Sequence, residues 1–245
     1  MPASTLAGLA LLRSGECQRS RLILLAALAG LLCPVAASSA EIPLYPTGPS
    51  QDAAFVRFVN AQAGGLEFSA AGANTRSKLS PEQPSSPFYT VDANTRVKGR
   101  FHAGGQPASD IGLTVKPGEF ATVVALPGAG AVKQAILREQ PDDFNALKVS
   151  LALYNIDPQC GNAGLNVVGR SAALFEAVAA GSLQRRALNP VSISVQLLCN
   201  GKVMPTMLAL GALQAGQRYS VFVVPAAGPT GATQRLFITS DSVAR

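Results

Sequence analysis

One histidine, His102, serves the whole 245-residue chain. Any nucleophile–base pair built on imidazole must use it, and most zinc hydrolase and His-cluster sites are excluded. His102 lies in Phe101-His102-Ala103-Gly104-Gly105, whose glycines mark a hairpin. A similar segment later in the chain has Asn200 there, so the position reads as a turn residue. The chain contains no G-x-S-x-G elbow, no Gly-Asp-Ser run and no Asp-x-x-His pair. Glycosidase chemistry needs two carboxylates at a set gap. Asp92, Asp110 and Glu119 are the candidates; lacking counterparts in the later segment, they read as solvated turn carboxylates. Gly128-Ala129-Gly130 lacks the rest of a dinucleotide fingerprint, and no C-x-x-C pair is present. No catalytic residue, cofactor site or metal site is expected.

Polymer binding by sandwich modules commonly uses exposed aromatic platforms. Trp is absent. Tyr45, Phe88 and Tyr89, near loops, are the candidates for contact with a partner or a polymer. Arg57 is the odd residue in an apolar strand. It reads either as a contact residue on an open face or as a snorkelling arginine with no function.

The first forty residues read as an address. Arg13, Arg19 and Arg21 precede the apolar run Leu22–Leu32, and Ser38-Ser39-Ala40 offers a cleavage site before Glu41. The alternative is an uncleaved membrane anchor. An exported chain loses Cys17 and Cys33 with residues 1–40, which leaves Cys160 and Cys199. A lone pair in an oxidising compartment reads as a disulfide; the alternative is two buried thiols. The remaining charges fall singly, with Arg185-Arg186 the only adjacent basic pair, so no nucleic-acid partner is expected.

The chain repeats itself. Gly118 and Gly216, Pro127 and Pro225, and Pro107 and Pro205 each lie 98 residues apart. FVRFVN (Phe55–Asn60) matches SLALYN (Ser150–Asn155), and Lys133–Ile136 resembles Gln234–Phe237. Matches in one order at nearly constant spacing imply two copies of one module. The acidic stretch Glu139–Asn145 reads as a linker. The expected organisation is a signal peptide over 1–40, one module over 41–140, a linker over 141–146 and a second module over 147–245. Gly72–Pro87 reads as a long loop inside the first module.

Both copies read as strands. Val191, Ile193, Val195 and Leu197 alternate with Ser192, Ser194 and Gln196, and Asn200-Gly201 follows as a hairpin turn. Thr122–Leu126 and Ser220–Val224 read as strands of the fully buried type. Ser171–Ala180 fits a helix or a strand equally. The expected fold is all-β: two tandem β-sandwich modules produced by internal duplication.

The segments Leu44-Tyr45-Pro46, Phe55–Asn60, Leu151–Asn155, Asn189–Val195 and Arg218–Val223 resemble the AlgF family, periplasmic accessory proteins of alginate O-acetylation, and relatives in acetylated-cellulose operons. The resemblance spans the exported chain. The Cys160/Cys199 pair and the Gly72–Pro87 loop depart from the family's pattern. The resemblance implies a non-catalytic periplasmic adaptor for exopolysaccharide O-acetylation. Its partners would be a membrane-bound O-acyltransferase and periplasmic SGNH-type acetyltransferases, and the exopolysaccharide itself is a further candidate. A polysaccharide-binding module and an acetyl carrier or transferase are the alternatives.

Overall fold

A computed structural model describes residues 53–141, 145–170, 172–226 and 234–244. The expected signal peptide, Cys17, Cys33 and Tyr45 lie outside the described residues, as does part of the expected linker, 142–144.

The first half contains β1 (Ala53–Asn60), β2 (Leu66–Ala70), β3 (Ser77–Leu79), β4 (Tyr89–Asp92), β5 (Arg96–Ala103), β6 (Ser109–Thr114), β7 (Phe120–Leu126) and β8 (Lys133–Glu139). The second contains β9 (Val149–Asn155), β10 (Asn162–Val167), β11 (Ala173–Ala179), β12 (Ser182–Leu188), β13 (Val191–Cys199), β14 (Lys202–Leu213), β15 (Arg218–Pro225) and β16 (Gln234–Ser240). The sheets run β4-β1-β7-β8 and β3-β2-β5-β6 in the first half. In the second they run β12-β9-β15-β16 and β11-β10-β13-β14. The two halves therefore share one strand order. Even the parallel pairing recurs: β1 with β7, and β9 with β15.

Side-chain alternation fills each sandwich. Val56 and Phe58 of β1 face Leu66, Phe68, Phe101 and Ile111 across the first core. Leu151 and Leu153 of β9 face Leu165, Val195 and Leu197 across the second. Asn60 and Asn155, matched in the sequence repeat, fasten the two sheets of each half. The Asn60 amide donates to the Gly64 and Leu79 carbonyls, and that of Asn155 to the Cys160 and Val178 carbonyls.

Local chemistry explains the turns. Asn200 (φ 53°) and Gly201 (φ 75°) both take the left-handed region, so β13 and β14 join through a two-residue type I′ hairpin. Residues 173–179 form strand β11, not a helix. Its register against β10 shifts beside Gly164, where an added Cβ would lie 2.7 Å from the Glu176 carbonyl oxygen. A second shift, between Leu165 and Asn166, leaves the neighbours Leu174 and Phe175 both buried, which mimics a helical period in the sequence. The expected loop over Gly72–Pro87 is interrupted by the short strand β3.

Candidate functional site

Strands β1, β7, β9 and β15 are buried on both faces. Their second faces meet each other. Val59, Ala61, Val124 and Leu137 of the first half pack with Ala152, Tyr154, Ile156, Phe222 and Val224 of the second. Tyr154, Phe222 and Phe237 stack in a row with centroids 4.7 and 5.0 Å apart. The described residues thus form a stack of four sheets, with the two halves joined through a third apolar core. Backbone bonds extend the junction: Phe88 donates to the Ser242 carbonyl and accepts from the Ala244 amide.

Arg57 sits in this junction with no exposure to solvent. Its guanidinium donates to Thr122 Oγ1 at 2.9 Å, Ser220 Oγ at 2.9 Å and Asp241 Oδ1 at 2.6 Å. The Phe88, Tyr154 and Phe222 rings surround it at 4.5 to 5.2 Å. Thr122 and Ser220 are matched positions of the repeat, so one hydroxyl from each half holds the same cation. Asp241 also accepts from Arg185 at 2.9 Å, and Arg185 grips both oxygens of Glu139 at 2.8 and 2.9 Å. Arg218 reaches Glu139 at 3.2 Å. A charged network therefore crosses the junction twice, at Arg57–Asp241 and at Glu139 with Arg185 and Arg218. Such a buried pair must offset several kcal/mol of desolvation per ion, which is why each charge here has more than one partner.

The expectation that Arg57 and Phe88 are available for partner or polymer contact is corrected by this placement. Phe88 is 1% exposed and lies against Arg57 and Phe120. Arg57 is neither on an open face nor snorkelling; it is a buried linchpin. Tyr89 is half-buried and lines an apolar cavity of about 290 Å³ with Phe58, Phe68 and Val97. Sequence reasoning missed Asp241 and the roles of Glu139, Arg185 and Arg218. The readable signal was a hydroxyl at matched positions of two otherwise apolar strands.

Burial, the largest influence on Asp241, pushes its carboxyl up. Arg57, Arg185 and the Ser220 hydroxyl together outweigh it and hold the group below the ordinary value. Its folded pKa is thus lower than its unfolded one. The stability this contributes is complete above the unfolded value, about 3.9, and is lost as pH falls through the folded value. The melting temperature of the wild type is expected to fall below about pH 4 by more than that of Asp241→Asn. Thermal melts across that range check this; an equal fall in both proteins contradicts it.

Cys160 and Cys199 form the expected disulfide, with Cα atoms 5.0 Å apart. It ties the β9–β10 connection to the end of β13. His102 Nε2 lies 3.3 Å from Ser69 Oγ. Among the described residues no carboxylate bonds the His102 ring. Among the described residues no three His, Cys, Asp or Glu side chains cluster as metal ligands.

A concavity of about 850 Å³ lies on the outer face of the β3-β2-β5-β6 sheet. Arg96, Lys98, Arg100 and His102 line it from β5, with Arg76 from the β2–β3 loop and Asp110 from β6.

No family model and no curated protein matches the chain. Among solved structures, the chain is similar to the C-terminal domain of AlgF from P. aeruginosa. The identity is 18%, the match covers 38% of this chain and 98% of that one, and the TM-score is 0.31. It is also similar to CBMbc (family CBM26) from Eubacterium rectale Amy13K in complex with maltoheptaose. There the identity is 10%, the coverage 75% of this chain and 96% of that one, and the TM-score 0.25.

Proposed function

We propose that the chain is a non-catalytic periplasmic adaptor for O-acetylation of an exopolysaccharide. In this reading it docks a membrane-bound O-acyltransferase to periplasmic SGNH-type acetyltransferases. The strand segments that resemble the AlgF family support the reading at the level of sequence. The structural observation that carries it is the locked junction. Arg57, Asp241, Arg185 and Glu139 are committed to holding two like sandwiches in one orientation. A rigid pair of modules presents two surfaces at a fixed separation, so a second partner docks without a further ordering cost.

The test is a deletion strain. Proton NMR of its exopolysaccharide should show lost O-acetyl signals with polymer yield retained, restored by the wild-type chain. Normal acetylation in the deletion strain rejects the proposal.

A further inference from the structure

Because the two halves share one topology, each inward position of the first has a counterpart in the second. Strand β5 pairs Gly99 with Ala70 and Phe101 with Phe68 across β2. Strand β13 pairs Val195 with Val167 and Leu197 with Leu165 across β10. Gly99 thus stands where the second half has Val195, and Ala70 where it has Val167. At the sheet edge, β3 pairs Ser77 with Phe68, and β11 pairs Phe175 with Leu165. Ser77 therefore takes the place of Phe175.

In the second half Phe175 and Val195 are buried in the core, and Val167 packs against it. In the first half the same three places carry smaller side chains or none. Phe58 and Phe68 are larger than their counterparts Leu153 and Leu165, yet they do not refill the space: the cavity of about 290 Å³ remains. Nor can β5 fill it, because a Cβ at Gly99 would lie 2.6 Å from the Ser69 carbonyl oxygen. An empty apolar cavity costs stability through the dispersion contacts its lining lacks. A ligand that restores those contacts is held by them.

The lining says which kind of ligand. The Phe58 and Phe68 rings lie 4.4 Å apart, and Tyr89 stands 6.1 Å from Phe68, edge to face. Val56, Val97 and Ile111 complete the walls. Such rings favour a further ring, offset or edge-on, and the largest group that fills this place in the second half is the phenyl of Phe175. Apolar cavities of about 150 Å³ already admit benzene, so 290 Å³ holds one ring with a short substituent. A sugar ring fits poorly, since these walls leave its hydroxyls unpaired. The mouth differs from the floor. Thr75, Ser77 and Lys98 line it and are exposed, and all three side chains donate hydrogen bonds. A substituent that reaches them is therefore an acceptor.

We propose that the first sandwich binds a small aromatic molecule, its ring between the two sheets against Phe58, Phe68 and Tyr89 and an acceptor substituent at the mouth. The adaptor reading does not require this contact, so each stands or falls separately.

The test is methyl NMR of the purified chain titrated with 3-phenylpropanoate and with benzyl alcohol, and with glucose as the comparison. At least one aromatic probe should move the Val56, Val97 and Ile111 methyl signals saturably, with a dissociation constant of about 1 mM or tighter. The Leu165 and Leu197 methyls of the second core should stay in place, and glucose should move none. Ser77→Phe copies the second half's residue and should weaken binding at least about tenfold. Ala70→Val copies Val167 and should weaken it in the same direction. Both positions are exposed, so the fold is retained, and unchanged signals from the second core check this. The proposal is overturned if neither aromatic probe binds, if the second core's methyls move as much as the first's, if both variants bind like the wild type, or if glucose binds as tightly as the better aromatic probe.

Discussion

Asp241→Asn is expected to lower the unfolding free energy by about 3–5 kcal/mol, the usual cost of stranding a buried charge. Asp241 stands between two guanidiniums, accepting from Arg57 at 2.6 Å and from Arg185 at 2.9 Å. Its side chain is 1% exposed, so water cannot replace it. Without the carboxylate, two cations face each other in a junction lined by Phe88, Tyr154 and Phe222. For a chain of this size the loss corresponds to a melting temperature lower by about 10 °C. Arg57→Met should cost less, because Asp241 keeps Arg185 and the methionine still packs among the three rings. The double variant should cost less than the sum of the two single ones, since the second change removes the charge that the first left unpaired. Urea denaturation of the four proteins measures the coupling. Additive costs would show that Arg57 and Asp241 do not act as a pair.

Loss of the disulfide is the second large effect. Cys160–Cys199 closes a loop with a sequence separation of 39. Freeing that loop in the unfolded chain corresponds to about 4 kcal/mol in the chain-entropy account. Cys160→Ser/Cys199→Ser should lower the unfolding free energy by that amount, read as a lower urea midpoint, without changing the fold. The first half supplies the reason: Ala103 occupies the place of Cys199, and the same strand order forms there without a cross-link. Far-UV circular dichroism of the double variant should therefore match the wild type while its midpoint falls. An unchanged midpoint contradicts the prediction.

Local patterns made the architecture readable. Repeated Gly and Pro positions announced two copies, and one copy's strand order is the other's. The Asn200-Gly201 turn followed from side-chain chemistry at two positions. The junction was not readable in the same way. Alternation in FVRFV shows that Arg57 and Val59 share a face, but not whether that face meets water or another sheet. Only the three-dimensional partners of Arg57, from residues 65 to 184 positions away, decide it. The cationic row on β5 was hidden for a different reason. Arg96, Lys98 and Arg100 are separated by Val97 and Gly99, so they count as scattered charges along the chain. On a strand the same spacing gathers them on one face. Read with period two, the row is visible in the sequence.

The account rests on the two sandwiches behaving as one body, held by the third core and by the Arg57–Asp241 and Glu139–Arg185 contacts. Differential scanning calorimetry of the purified chain tests this most directly. The account predicts a single transition whose calorimetric and van't Hoff enthalpies agree. Two separate transitions, each with the enthalpy of one half, would contradict it.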